Sequence, residues 1–236
     1  MMRNLLRKVM GRASAARLQP KTREVVRDRL TYLPVEKLRR LERAILETKD
    51  VPGDLVEFGV ALGGSGIILA HDSRIGRHFH GFDVFGMIPP PSSEKDDDKS
   101  KARYRVIKSG ASAGIAGDEY YGYRPDLLSD VKASFARHGV PVEGTIIQLH
   151  KGLFEETWDG ASIDSIALAH IDCDWYDPVA FCLKVCSEKL SDGGLIIIDD
   201  YNDYGGCRTA VDEFLRARPD FAIEHGMNPI LRKCAT

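Results

Sequence analysis

Four aspartates close two apolar segments of this chain, and their spacing could build a cation site. HIDCDWYDP sets Asp172 and Asp174 after the first segment, and IIIDDYNDYGG sets Asp199 and Asp200 after four consecutive apolar residues. If those segments are neighbouring parallel strands about 4.8 Å apart, Asp172, Asp199 and Asp200 converge beside a ligand crevice. Three carboxylates cannot share a partly buried pocket as anions without a counter-charge. An oxygen-only set without His or Cys suits Mg²⁺ better than zinc. The competing reading has each aspartate capping its own loop or a following helix. Strand alternation turns Asp174 away from Asp172, so it is assigned to loop orientation or substrate contact, and Asp203 to the loop.

A second constellation is DLVEFGVALGGSG, residues 54–66, where an apolar strand runs into a glycine-rich turn. Gly59, Gly63 and Gly64 permit positive φ and close approach of a ligand. Ser65 stands where a helix N-cap would, before Ile67, Ile68 and Leu69, turning helix N–H groups toward a bound molecule. There is no GKS or GKT for a triphosphate, and the spacing is not the GxGxxG of a pyrophosphate cradle. Glu57 disfavours an anionic ligand and suits a sulfonium, amino-acid or ribose group, a description that S-adenosylmethionine fits. Asp83, about twenty-five residues on, stands where such folds place an acid for ribose hydroxyls, a loop acid or helix cap being the other reading.

Metal beside a sulfonium donor suggests methyl transfer to an alcohol. A cation chelated by vicinal hydroxyls would act as Lewis acid and template while a carboxylate takes the proton. Asp172 is the candidate base; His150 and His170 sit at strand positions that fit core or edge histidines.

The elements that position these residues follow from periodicity. Arg23 to Lys49 carries two amphipathic helices broken at Pro34. Strands are expected at Leu55–Phe58, Phe79–Phe82, Thr145–Leu149, Ser165–Ile171 and Leu195–Ile198, with Phe221–Glu224 and Ile230–Lys233 as a closing hairpin. Helices alternate with them at Gly66–Asp72, Leu127–His138, Val179–Lys189 and Cys207–Ala217. The implied fold is α/β: a Rossmann-like, doubly wound, mostly parallel seven-stranded sheet with an antiparallel last strand, and ligands at the strand C-terminal ends. Residues 1–50 form a helical arm and 51–236 a single domain with an irregular insert, Met87–Tyr123. That insert opens with Pro89, Pro90 and Pro91, carries the charged stretch Glu94–Lys99, and ends with Tyr120, Tyr121 and Tyr123. It is either an ordered lid offering aromatic faces to a sugar or aglycone, or a disordered surface loop.

With 236 residues, 43% hydrophobic and a net charge of −2, the chain can fill one domain and makes no global case for nucleic acid. Residues 1–20 hold Arg3, Arg7, Lys8, Arg12 and Arg17 without an acid, an interfacial segment or presequence on one reading and a solvated arm or oligomer contact on the other. No segment approaches a transmembrane span or a secretory core. Cys173, Cys182, Cys186, Cys207 and Cys234 read as reduced packing thiols of a cytoplasmic protein, since zinc-type CxxC pairs are absent.

The segments LTYLPVEKLRRLERAI, PGDLVEFGVALGGS, GFDVFGMIPPP, KGLFEETW, LAHIDCDWYDP, LSDGGLIIIDDY and GCRTAVDEF together resemble the TylF/MycF-type sugar O-methyltransferases, which depend on Mg²⁺ and S-adenosylmethionine. The resemblance implies a class I methyltransferase fold and a dimer or higher homo-oligomer. It also implies that Glu57, Gly59 and Ser65 line the cofactor turn, that Asp83 lies near the ribose, and that Asp172, Asp199 and Asp200 hold the metal. The acceptor it implies is a small glycoside or nucleotide sugar. Two motifs depart from the family: Phe85 precedes Gly86 where an acidic residue is usual, and Glu156 replaces Asp in FEET. A catechol-like phenol methyltransferase is the alternative enzyme, though Trp175 and Tyr176 stand where such enzymes usually bring a Lys. A catalytically silent binding protein and a nicotinamide dehydrogenase rank behind it.

Overall fold

The computed structural model describes residues 18–234, so most of the basic segment at 1–20 lies outside the described residues. Its elements in order are α1 (Pro20–Arg27), α2 (Val35–Glu47), β1 (Asp54–Phe58), α3 (Gly64–Ala70), β2 (Phe79–Asp83), α4 (Asp98–Lys108), α5 (Leu127–Arg137) and β3 (Ile147–Lys151). There follow α6 (Phe154–Thr157), β4 (Ile166–Ile171), α7 (Tyr176–Lys189), β5 (Leu190–Ile198), α8 (Gly205–Ala217), β6 (Phe221–Glu224) and β7 (Ile230–Lys233). The described strands form one seven-stranded sheet in the order β3-β2-β1-β4-β5-β7-β6. Pairing is parallel except around β7, which runs antiparallel to β5 and β6. This is the expected doubly wound sheet.

Both faces of the sheet are covered, which explains why its central strands are mostly apolar, the buried Glu57, His80 and His170 being exceptions. Leu55, Phe79, Leu168, Leu195 and Ile197 pack on one face against Val25, Leu38, Leu41 and Ile67. Val56, Phe82, Ala169, Ile196 and Ile198 pack on the other against Val179, Cys182 and Val211. Chain order reverses between β1 and β4, so the crevice opens above their C-terminal ends.

Three expectations change. The N-cap of α3 is Gly63, at φ +91°, and Ser65 lies buried inside the first turn; only a residue free of a Cβ penalty turns the chain that sharply. The insert is not irregular, because it contains the 11-residue α4, capped by the Asp97 carboxylate, which accepts from the Ser100 N–H at 2.8 Å. Finally, Cys173, Cys182, Cys186 and Cys207 are buried free thiols as expected, but Cys234 is exposed.

The acidic stretch of the insert serves as a clamp. Asp96 accepts from the N–H of Tyr176 at the start of α7, and Asp97 from that of Gly205 at the start of α8. Lys95 pairs with Glu213 on α8, and the Trp175 indole donates to the Pro89 carbonyl at 2.9 Å. Two carboxylates thus satisfy N–H groups that open helices, where negative charge is favoured.

Candidate active site

The backbone ladder sets the acidic residues. Beyond the named strands, the Asp172 N–H donates to the Phe58 carbonyl and the Asp199 N–H to the Ile171 carbonyl, both at 2.9 Å. The ends of β1, β4 and β5 are therefore held in register, and ligand atoms of Asp172, Asp199 and Asp200 all lie within 4.8 Å of one another. Asp174 stands outside that trio but orients it through its backbone. Its φ of +46° breaks the strand pattern, and its N–H donates to Asp200 Oδ2 at 3.2 Å.

Electrostatics separates the four carboxyls. Burial, then the neighbouring Asp199, Asp200 and Asp174, pushes Asp172 well above the usual carboxylate range. Burial and Asp200 do the same to Asp174, and burial with Asp199 brings Asp200 up to about 6. Asp199 goes the other way: burial alone would raise it, but His170 and Lys37 hold it below its usual value. Lys37 Nζ lies 2.7 Å from Asp199 Oδ2 and 2.8 Å from Asp203 Oδ2. His170 sits behind, with Nδ1 2.9 Å from Glu57 Oε1 and Nε2 3.8 Å from Asp199 Oδ1. Acidic and basic groups therefore alternate from Glu57 through His170, Asp199 and Lys37 to Asp203. Asp199 Oδ1 itself is buried without a hydrogen-bond partner. Three carboxyls raised by burial and by one another, with the orphaned Asp199 oxygen beside them, fit a hard divalent cation held by oxygens.

Lys37 and the aspartates line a cleft of about 670 Å³, a volume suited to a small-molecule ligand. Gly59, Ala61 and Asp83 form one wall, Tyr32, Leu33 and Pro34 another, and the insert contributes Pro89, Lys99, Arg103, Tyr120 and Tyr121. Asp83 accepts from the N–H groups of Val60, Ala61 and Phe85, so its carboxylate shapes the glycine turn. Gly59 has φ +92°, and a Cβ there would stand 1.9 Å from the Asp172 carbonyl oxygen. Gly59→Ala is accordingly expected to weaken S-adenosylhomocysteine binding by about tenfold or more, as read by calorimetric titration.

The structure does not bring every anticipated residue to the cleft. Glu57 is fully buried on His170, and neither it nor Gly63 or Ser65 is among the lining residues. Tyr123 turns inward: its hydroxyl donates to the Ile107 carbonyl at 2.6 Å and accepts from the Ser112 N–H at 3.1 Å, bracing the insert. His170 is a paired core histidine, and His150 stacks on Phe82 with ring centroids 4.5 Å apart. Lys37 escaped sequence reasoning. Its signal was a lysine sharing a helical stripe with Leu41 and Ala44, all three buried.

Known proteins resemble this chain over most of its length. The demethyldecarbamoylnovobiocin O-methyltransferase of Streptomyces niveus is 30% identical over 201 residues, covering 82% of this chain and 70% of that protein. The mycinamicin III 3''-O-methyltransferase of Micromonospora griseorubida is 27% identical over 196 residues, covering 78% and 69%. Among solved structures, the O-methyltransferase NovP superposes with a TM-score of 0.67 at 24% identity, over 84% of this chain and 81% of that one. The calicheamicin methyltransferase CalS11 gives 0.62 at 18%, over 86% and 80%. These superpositions bear on the fold, which is that of an S-adenosylmethionine-dependent O-methyltransferase. The profile of the family described as macrocin-O-methyltransferase (TylF) matches residues 8–234, and this chain belongs to that family of O-methyltransferases.

Proposed function

We propose that the protein transfers a methyl group from S-adenosylmethionine to a hydroxyl of a sugar, carried by a small glycoside or a nucleotide sugar, in an Mg²⁺-dependent reaction. The observation that carries this reading is the convergence of Asp172, Asp199 and Asp200 within 4.8 Å, in a cleft bounded by the glycine turn on one side and the insert on the other. A relative named as the 4'-O-methyltransferase of a rhamnosyl-tetracenomycin favours the same acceptor class. Asp172, Asp199 and Asp200 would hold the cation, which when bound supplies a Lewis acid that lowers the pKa of an acceptor hydroxyl. The acceptor oxygen attacks the sulfonium methyl in line, the carbon–sulfur bond breaks, and S-adenosylhomocysteine leaves. Asp172 receives the hydroxyl proton in this reading. Lys37 and His170 keep Asp199 anionic and oriented, and Gly59 and Asp83 shape the donor's side of the cleft.

Tyr120, Tyr121 and Asp174 face the cleft from the acceptor side, where rings offer apolar faces to a sugar and a carboxyl meets its hydroxyls. Work in the cytoplasm as a homo-oligomer belongs to the same reading; no described helix is long and apolar enough to cross a membrane. The test is a screen of glycosides and nucleotide sugars for methyl gain by mass spectrometry, with and without EDTA and added Mg²⁺. Methylation of a sugar hydroxyl that chelation abolishes and Mg²⁺ restores is expected. Turnover that survives chelation, or acceptance of catechols alone, refutes the reading.

A further inference from the structure

At the opposite end of the sheet, where β1 and β2 begin, a second group of ligating side chains meets. Asp54, His78 and His80 each offer one ligand atom, all within 4.8 Å of one another. His78 Nδ1 stands 3.7 Å from Asp54 Oδ1, and His80 Nε2 3.6 Å from Asp54 Oδ2. Both separations are too long for hydrogen bonds. They are close to the edge of a tetrahedron around an ion with bonds of about 2.1 Å, which is about 3.4 Å.

The surroundings match a metal site rather than a simple ion pair. His80 Nε2 is buried and has no hydrogen-bond partner, while the side chain as a whole is only 2% exposed. Its other ring nitrogen, Nδ1, is 3.1 Å from His150 Nε2. One of the two rings donates to the other across that contact. With His80 Nδ1–H donating to His150, the lone pair of His80 Nε2 faces the Asp54 carboxylate, an arrangement that a cation between them makes favourable. A ligating histidine whose second nitrogen donates to a fixed partner is the usual support for a bound metal. Asp54 is itself anchored by the His78 N–H at 2.7 Å. Arg77, the adjacent cation, is committed to Asp72 at 3.0 Å and to the Val51 carbonyl. His78 is one-third exposed, which leaves an entry path and room for a water ligand.

We propose that Asp54, His78 and His80 form a second metal site, distinct from the acidic cleft, that takes one borderline divalent transition ion of the Zn²⁺ class and ties the starts of β1 and β2 together. Two imidazoles and one carboxylate select such an ion over Mg²⁺, whereas the all-oxygen cleft has the reverse preference. The five-residue strands put roughly 16 Å between the two places.

The test uses tag-free, full-length protein in excess Mg²⁺, which occupies the all-oxygen cleft, titrated with Co²⁺ as a spectroscopic probe and with Zn²⁺ by calorimetry. One equivalent should bind, with the visible d–d bands of a nitrogen- and oxygen-ligated Co²⁺ that Zn²⁺ displaces. His78→Ala, at a partly exposed position where folding should survive, is expected to weaken binding at least tenfold and leave methyl transfer unchanged. His150→Phe, which removes only the supporting acceptor, should weaken it about 10- to 100-fold. No bound Co²⁺, bands that persist in His78→Ala, or bands lost in Asp200→Asn instead would overturn the proposal.

Discussion

Asp200→Asn is expected to lower the rate of methyl transfer by about a thousandfold while making the metal-free protein more stable. The rate loss follows from removing one of three oxygens that must hold and orient the cation, a change comparable to deleting a key electrostatic contact of a transition state. The gain in stability follows from the sign of the shift. An acid whose folded value, about 6, lies above its ordinary 3.8 disfavours the folded state once the pH exceeds the lower figure. At pH 7 the ionised Asp200 therefore destabilises the metal-free fold, and a neutral amide of the same shape relieves that by roughly 1–3 kcal/mol. The Asp174 N–H can still donate to the amide oxygen, so loop geometry is preserved. Urea unfolding in EDTA beside single-turnover kinetics in Mg²⁺ checks both halves. A variant that loses stability, or keeps its rate, contradicts the assignment of Asp200.

Asp199→Asn should behave in the opposite way, losing about 3–5 kcal/mol of stability as well as activity. It takes one of two carboxylates from each of two buried bases: the Lys37 ammonium, 7% exposed, keeps only Asp203, and His170, fully enclosed, keeps only Glu57. Breaking a buried pair from one side leaves charge under-compensated, the expensive outcome. The same contacts predict a pH profile. Burial alone would lower His170, but Asp199 and Glu57 raise it to about 9, above the ~6.5 expected when unfolded. For a base with a raised folded value, the stabilisation is complete below pH ~6.5 and disappears as pH rises through 9. Metal-free wild type should lose stability across that window, whereas Asp199→Asn should show a shallower slope there. Equal slopes in the two proteins would rule out the Glu57–His170–Asp199 linkage.

What the sequence revealed and what it hid have physical causes. Strands β1, β4 and β5 were legible because a strand buried on both faces must be mostly apolar, and a carboxylate at its end then stands out. From there the meeting of Asp172, Asp199 and Asp200 needed only that β4 and β5 be neighbours, which the structure bears out. Helix α4 was obscured because few of its residues are buried, Ser100 and Ile107 among them, so its amphipathic period is faint and its support comes from capping and from α8. The bond from the Asp174 N–H to Asp200 was hidden because a positive φ at a non-glycine residue leaves no mark in the sequence. Glu57 was taken for a ligand contact when its partner, His170, lies 113 positions away, and Lys37 was missed because Asp199 is 162 away. Periodicity reports which face of an element is covered; it carries no record of which distant charge will cover it.

The pinning of the insert through Asp96 and Asp97 divides that segment into two regions of unequal freedom. Its first part, from Pro89 to Asp97, is built into the starts of α7 and α8, so substitutions there would disturb helices that also carry the sheet. From Lys99 to Tyr121 the insert meets the cleft with side chains whose replacement leaves those anchors untouched. Libraries aimed at new acceptors are best confined to this second stretch, where diversity can be grafted onto a fixed hinge without unsettling the scaffold beneath it.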